Sequence, residues 1–260
     1  MSMDPADLSH HISRRYNEEL ERVRTRVLAM GGLVEQQVQS ALRALIEGDS
    51  TLAHAVEAQE VRVNEMEIAI DEECSFLLAI RAPTAGDLRV VVAMMKAVTD
   101  LERIGDESEK IGIIAARLIE TERSADRYRE VRHLGRVACD MLQGALDAFA
   151  RMDASSAIAV ARRDQLLDEE FEAVQRECIT FMMEDSRAIR RTLDLLWVMR
   201  SLERIGDHAK NICEYVVYMA QGEDIRHNPA GLAAAAESAA LPGSVAHSSV
   251  PPPPTGELRI

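Results

Sequence analysis

Aromatic side chains make up only 3% of the 260 residues, which excludes a core built on packed rings. Leu, Ile, Val, Met and Ala must fill the interior instead, within an ordinary apolar share of 47%. Such side chains suit helix-on-helix packing. Only eight prolines occur, and four stand together at Pro251 to Pro254, so long stretches lack the strongest helix breaker. No apolar run approaches the ~20 residues that cross a bilayer, so any link to a membrane must come through a partner. Met1 to Pro5 offers neither a basic start nor an apolar segment, and no secretory signal is read there. The four cysteines (Cys74, Cys139, Cys178 and Cys213) are far apart and form no C-x-x-C. They read as small packing residues in a reducing, cytoplasmic compartment.

Acidic residues outnumber basic ones, 44 Asp and Glu against 30 Lys and Arg. The formal net charge is −14, and no concentrated basic patch offsets it, so direct nucleic-acid binding is not expected. Arginines alternate with acids, as in Arg14-Arg15 before Glu18-Glu19, the look of a solvated helix face. There is no Gly-rich phosphate loop, no Ser/His/Asp arrangement and no nucleophile with a base beside it. Nothing positive points to an enzyme.

What the chain does contain is helical periodicity. A first segment, about Ser9 to Glu47, carries Ile12, Tyr16, Leu20, Val23, Val27, Met30, Val34, Val38, Ala41 and Leu45 at spacings of three and four. Gly31-Gly32 is expected to loosen or bend it. Gly48 ends it, and Asp49 or Ser50 can cap the next. Further segments run from about Thr51 to Ile80, stopped by Pro83, and from Asp87 to Glu122 after a capping box at Thr84 to Asp87. A fourth spans about Arg127 to Arg151, Asp153 caps a fifth reaching Met183, and a sixth runs from Arg187 to Gln221 before Gly222.

The plan is duplicated. Leu101-Glu-Arg-Ile-Gly-Asp106 recurs letter for letter as Leu202-Glu-Arg-Ile-Gly-Asp207, an offset of 101, while the caps Asp49 and Asp153 match at 104. The expected fold is all-α: two pseudo-symmetric three-helix bundles of long antiparallel helices, at 9–122 and 127–222. From Asn228 the Ala-, Pro- and Ser-rich composition reads as a disordered tail, 228–260.

The repeated hexapeptide is the chemical candidate. Glu102 and Asp106 lie a turn apart on one helix face, as do Glu203 and Asp207. Like charges at that spacing cost a few tenths of a kcal/mol, and a mid-helix glycine such as Gly105 or Gly206 up to ~1 kcal/mol. Accepting both costs twice suggests a compensating role, with the glycine admitting a neighbouring helix. Glu67 and Asp71, with Asn64 a turn before, could face the first pair. Asp164, Asp168 and Glu172 could face the second. Oxygen donors alone favour Mg²⁺, Mn²⁺, iron or Ca²⁺. The plainer alternative is acidic pairs that are solvated or tied to arginine. Lys210 stands where Glu109 falls in the first copy, which makes the second site the weaker candidate. Glu130-Val-Arg-His133 has the E-x-x-H spacing of di-metal bundles but no twin, and it reads as an exposed pair. His10, His11 and His208 likewise read as surface residues.

As a set, these elements resemble the PhoU family. The resemblance lies in the doubled hexapeptide, Met66-Glu-Ile-Ala-Ile-Asp-Glu72 and Arg81-Ala-Pro-Thr-Ala-Gly-Asp-Leu-Arg89. It also lies in Asp147-Ala-Phe-Ala-Arg-Met-Asp153, Met182-Met-Glu-Asp-Ser186 and Asn211-Ile-Cys-Glu214. It spans about Ile12 to His227. It implies a cytoplasmic accessory of a phosphate ABC transporter, acting with its ATPase subunit and a membrane sensor histidine kinase as negative regulator when phosphate is plentiful. It implies homodimers in many members, and in some members iron or other metal clusters on the E/D-x-x-x-D motifs, here Glu102 and Asp106, and Glu203 and Asp207. The alternative left open is a metal-dependent helical enzyme or metal-storage protein using the acidic pairs.

Overall fold

The computed structural model describes the backbone of residues 5–81, 85–119 and 128–225, with side chains from residue 15 onward except at residue 81. The helices are α1 (Pro5–Arg43), α2 (Ser50–Arg81), α3 (Ala85–Ile119), α4 (Tyr128–Arg151), α5 (Ala154–Ala161), α6 (Asp164–Glu184) and α7 (Ile189–Gln221). No strand occurs among the described residues. No described helix is long and apolar enough to cross a membrane. Pro83, the capping residue Thr84, the linker Thr121 to Asp126 and the tail from Asn228 lie outside the described residues.

Each half packs three rods, α1–α2–α3 and α4–α5/α6–α7. A 35-residue helix such as α3 is about 50 Å long. The apolar stripe of α1 faces inward, with Tyr16, Val23, Val27, Met30, Val34, Val38 and Ala41 all buried. Local chemistry sets the ends. Asp49 Oδ1 accepts from the amides of Thr51 (2.8 Å) and Leu52 (3.2 Å). Asp153 does the same for Ser155 and Ser156 at 3.0 and 3.1 Å. Gly222, at φ 80°, closes α7 in the left-handed conformation that glycine adopts without strain.

Three details depart from the expected plan. α1 is not interrupted at Gly31-Gly32: it continues to Arg43 and unwinds into one π-helical turn, Ala44–Gly48. Gly31 serves packing, because a Cβ there would strike the Leu146 side chain of α4. The fifth segment is two helices. At Arg162-Arg163 the ladder tightens, with Arg163 N–H donating to Val160 three residues back at 2.9 Å, which ends α5 and starts α6 at Asp164.

His208 is the third departure, since it is buried rather than on the surface. The halves meet along α3 and α7, with a smaller contact between α1 and α4. α3 and α7 run antiparallel: Arg89 near the start of α3 stacks on Tyr218 near the end of α7, and Arg117 near the end of α3 pairs with Asp194 near the start of α7 at 2.9 Å. At the centre of this seam, buried Asp100 accepts from Asn211 Nδ2 (3.1 Å) and Tyr215 OH (2.8 Å) and pairs with His208 Nδ1. Arg204 of α7 reaches Glu107 of α3 at 2.8 Å. A polar clasp thus joins the two bundles.

Candidate acidic centres

Gly105 and Gly206 sit in the middle of α3 and α7, where missing side chains let α2 and α6 approach. A Cβ on Gly105 would lie 2.7 Å from Glu60 Oε2 and 3.3 Å from Gln37 Oε1. A Cβ on Gly206 would collide with Leu167 and come within 3.7 Å of Met141. These neighbours are themselves repeat partners at the offset of 104 fixed by the caps, Val63 with Leu167 and Gln37 with Met141. The same offset pairs Glu60 with Asp164 and Asn64 with Asp168.

The first centre lies between α1, α2 and α3. Glu60 is only 4% exposed, and its Oε2 accepts from Gln37 Nε2 at 2.8 Å. Its Oε1, Gln37 Oε1, Asn64 Oδ1 and Asp71 Oδ1 are buried with no hydrogen-bond partner among the described residues. Burial first, then the charges of Asp106, Glu109 and Glu102, push the Glu60 carboxyl upward against the opposing bond from Gln37. Glu67 is pushed up by burial and by Glu102, Asp71 and Asp106, with Arg103 opposing. Burial and Asp106 raise Glu102, and burial raises Asp71. Glu67, Glu102 and Asp106 therefore share one field with Glu60, and Asp71 joins it through Glu67, a turn away on α2.

Glu60 is the residue missed from the sequence. The signal was present: projecting Asp164 and Asp168 back through the cap offset lands on Glu60 and Asn64, not on Glu67 and Asp71.

The second centre lies between α6 and α7. Asp164, Asp168 and Asp207 bring one carboxylate oxygen each within 4.8 Å of one another. Glu203, on the same face of α7, is pushed up to about 7 by burial and by Asp207, Asp168 and Asp164, against Arg200. Its Oε1 accepts from Arg200 at 2.7 Å, while Oε2 has no partner among the described residues. Burial and Asp164 raise both Asp168 and Asp207. Lys210 Nζ sits 2.5 Å from Asp164 Oδ2. Burial alone would lower the lysine, but its bond to Asp164 and the charges of Asp164, Glu214 and Asp207 raise it. Glu172 is not part of the centre; it is exposed and pairs with Arg176 at 3.6 Å. The E-x-x-H pair is split: His133 reaches Glu170 of α6 at 3.0 Å and Glu130 holds Arg129.

Both donor sets consist of oxygens, which suits hard or borderline cations. Crowded carboxyls held above their usual range, with buried oxygens lacking partners, are what a bound cation would relieve. The residues fit such an ion.

Fold and centres together define a tandem helical-bundle protein with one oxygen-lined acidic centre in each half. The chain belongs to the PhoU family, whose PhoU domain model matches residues 27–115 and again 131–216. It is 53% identical over 220 residues to the phosphate-specific transport system accessory protein PhoU homolog of Pseudomonas aeruginosa, covering 85% of this chain and 91% of that protein. The Escherichia coli phosphate-specific transport system accessory protein PhoU is 45% identical over 225 residues, covering 86% of this chain and 93% of its own. The crystal structure of PhoU from Pseudomonas aeruginosa superposes with a TM-score of 0.79 at 52% identity, over 80% of this chain and all of that one. The phosphate transport system regulatory protein PhoU from Streptococcus pneumoniae superposes with a TM-score of 0.74 at 32% identity, over 80% and 98% of the chains. These names describe transport accessory and regulatory proteins rather than enzymes.

Proposed function

We propose that this chain is a cytoplasmic regulator of phosphate uptake. It acts as the accessory of a phosphate-specific transporter, binds that transporter's ATPase subunit and signals to a membrane sensor histidine kinase. In that role it keeps phosphate-starvation genes off while phosphate is plentiful, and it works as a homodimer. The observation that carries this reading is the 53% identity, over 85% of the chain, to a protein named as an accessory of phosphate-specific transport.

The acidic centres serve this role as cation sites for iron, manganese or magnesium. Glu60, Glu67, Asp71, Glu102 and Asp106 form one donor set, and Asp164, Asp168, Glu203 and Asp207 the other. A bound cation supplies the positive charge that ties facing helices together. The chain supplies the rest: Gly105 and Gly206 set the helix approach, Gln37 orients Glu60, and burial keeps water from screening the Glu60, Asp164 and Glu203 carboxylates. Affinity capture with the full-length protein as bait tests the adaptor role. The transporter ATPase is expected to be retained from a phosphate-replete lysate, and its absence when it is demonstrably expressed would count against the reading.

A further inference from the structure

One end of the seam between α3 and α7 carries an apolar patch that the internal repeat does not account for. Two bridges across the seam, Arg117 to Asp194 at 2.9 Å and Arg204 to Glu107 at 2.8 Å, bracket about 15 Å of the antiparallel pair. Within that stretch Ile113 of α3 is 58% exposed and Trp197 of α7 is 63% exposed. Leu193 and Ile189 continue the α7 stripe at i,i+4 spacing and are exposed as well. Trp197 is the single tryptophan of the chain.

At the repeat offset of 101, Ile113 answers to Glu214 and Trp197 to Lys96. Lys96 lies over the ring of Tyr215 and Arg89 over that of Tyr218, so at the other end of the seam the chain covers its own aromatic rings. The fold is thus satisfied without an apolar surface at this position, and a contiguous one marks a contact. The rim of the patch is cationic. The Arg117, Arg204 and Lys110 side chains are 48%, 46% and 48% exposed, while Asp194 and Glu107 beneath them are 12% and 3% exposed. Solvent meets the guanidinium and ammonium heads rather than the carboxylates. Glu109, a turn before Ile113, is half-buried and acts on Glu60.

We propose that the transporter ATPase subunit docks on this face through an amphipathic helix, which lays an apolar stripe on Ile113, Leu193 and Trp197 and sets acids against Arg117, Arg204 and Lys110. The inference rests on the adaptor reading and adds the place of contact. The groove between two helices packed side by side accepts a third, with apolar anchors spaced to match Leu193 and Trp197. Tryptophan and arginine in such a contact carry a large share of its binding energy. Charge complementarity selects an acid-flanked helix, whose few charges meet the basic rim alone. An extended anionic membrane would instead meet the −14 of the whole chain and be repelled.

Calorimetric titration of the full-length protein with the purified ATPase subunit of its transporter tests this. Wild type should bind, more weakly as salt rises, and Trp197→Glu and Leu193→Glu should each weaken binding about tenfold or more. Ile68→Glu, at an equally exposed apolar position on α2, should bind as wild type does. Circular dichroism and melting check that each variant is folded, and Trp197→Gln replaces the charge variant if it is not. If wild type binds and the Trp197 and Leu193 variants bind equally well, the adaptor reading stands and the docking face is overturned. An equal loss in Ile68→Glu overturns it too, because the contact would then be unspecific. If wild type does not bind the subunit, the adaptor reading and the docking face both fall. Two other occupants are read in parallel. A blue shift of Trp197 emission on phosphatidylglycerol vesicles, with ATPase binding unchanged by Trp197→Glu, would assign the face to a lipid surface. Conversion of a dimer to a monomer by Trp197→Glu, with ATPase binding again unchanged, would assign it to a second copy of the chain. Either result overturns the inference.

Discussion

His208 Nδ1 lies 2.7 Å from Asp100 Oδ1, across the seam between two helices whose sequences are otherwise repeats of each other. Repeat symmetry does not generate this pair. The residue matching Asp100 is Ser201, and the one matching His208 is Glu107, which takes Arg204 instead. The seam therefore has a specific polarity that fixes how one bundle sits on the other. Asp100 is 2% exposed and serves three partners, so Asp100→Ala should leave His208, Asn211 and Tyr215 short of an acceptor. A loss of about 3 kcal/mol is expected in urea unfolding. A change below about 0.5 kcal/mol would mean the clasp is incidental.

Glu203 gives the metal-free protein a pH dependence with a definite sign. Its folded pKa of about 7 exceeds the ordinary carboxyl value of 4.5, so the folded chain keeps a proton that the unfolded chain has lost. The contribution is fully present below about pH 4.5 and is lost as pH rises through about 7. In chelator, stability should fall across this window by about 1–3 kcal/mol from this group. Glu203→Gln should flatten the slope. An unchanged pH profile in that variant would contradict the repulsion assigned to the second centre.

Gly105→Ala separates helix propensity from helix approach. Alanine is favoured by up to ~1 kcal/mol in an isolated helix. Here its Cβ would come 2.7 Å from Glu60 Oε2, so the variant should instead melt lower, by an overpacking cost of about 1–3 kcal/mol. Gly32→Ala, with open space around the Cβ position, should show the propensity gain. Equal behaviour of the two variants would remove the packing role given to Gly105.

Much of this was legible in the chain because it is local. The stripe from Tyr16 to Leu45, the caps at Asp49 and Asp153, and the close stop at Gly222 each depend on residues a turn or two apart. The break at Arg162-Arg163 was not legible, since neither proline nor glycine marks it and the backbone stays in the right-handed helical region. Burial of His208 depends on Asp100, 108 residues away, which no single-helix pattern encodes. Glu60 was overlooked because α2 is acidic on several faces. Only the register set by Gly105 selects Glu60 over its neighbours as the residue pressed against α3.

Thiol reactivity checks the packing of the cysteines. Burial first, then nearby acids, push Cys74 up to about 12 and Cys139 to about 11, and burial drives Cys213 in the same direction. Thiolate is the reactive form, so all three should label slowly in the native protein and rapidly in denaturant. Fast native labelling of Cys74 or Cys213 would mean the helices around them open readily.

Alkaline phosphatase activity in ample phosphate, in a strain lacking this gene and any paralogue, tests the regulatory role most directly. High activity despite the phosphate is expected, returning to the repressed level when the gene is supplied in trans. Repression in the deletion strain equal to that of its parent would contradict the assignment of this chain as a negative regulator of the phosphate-starvation response.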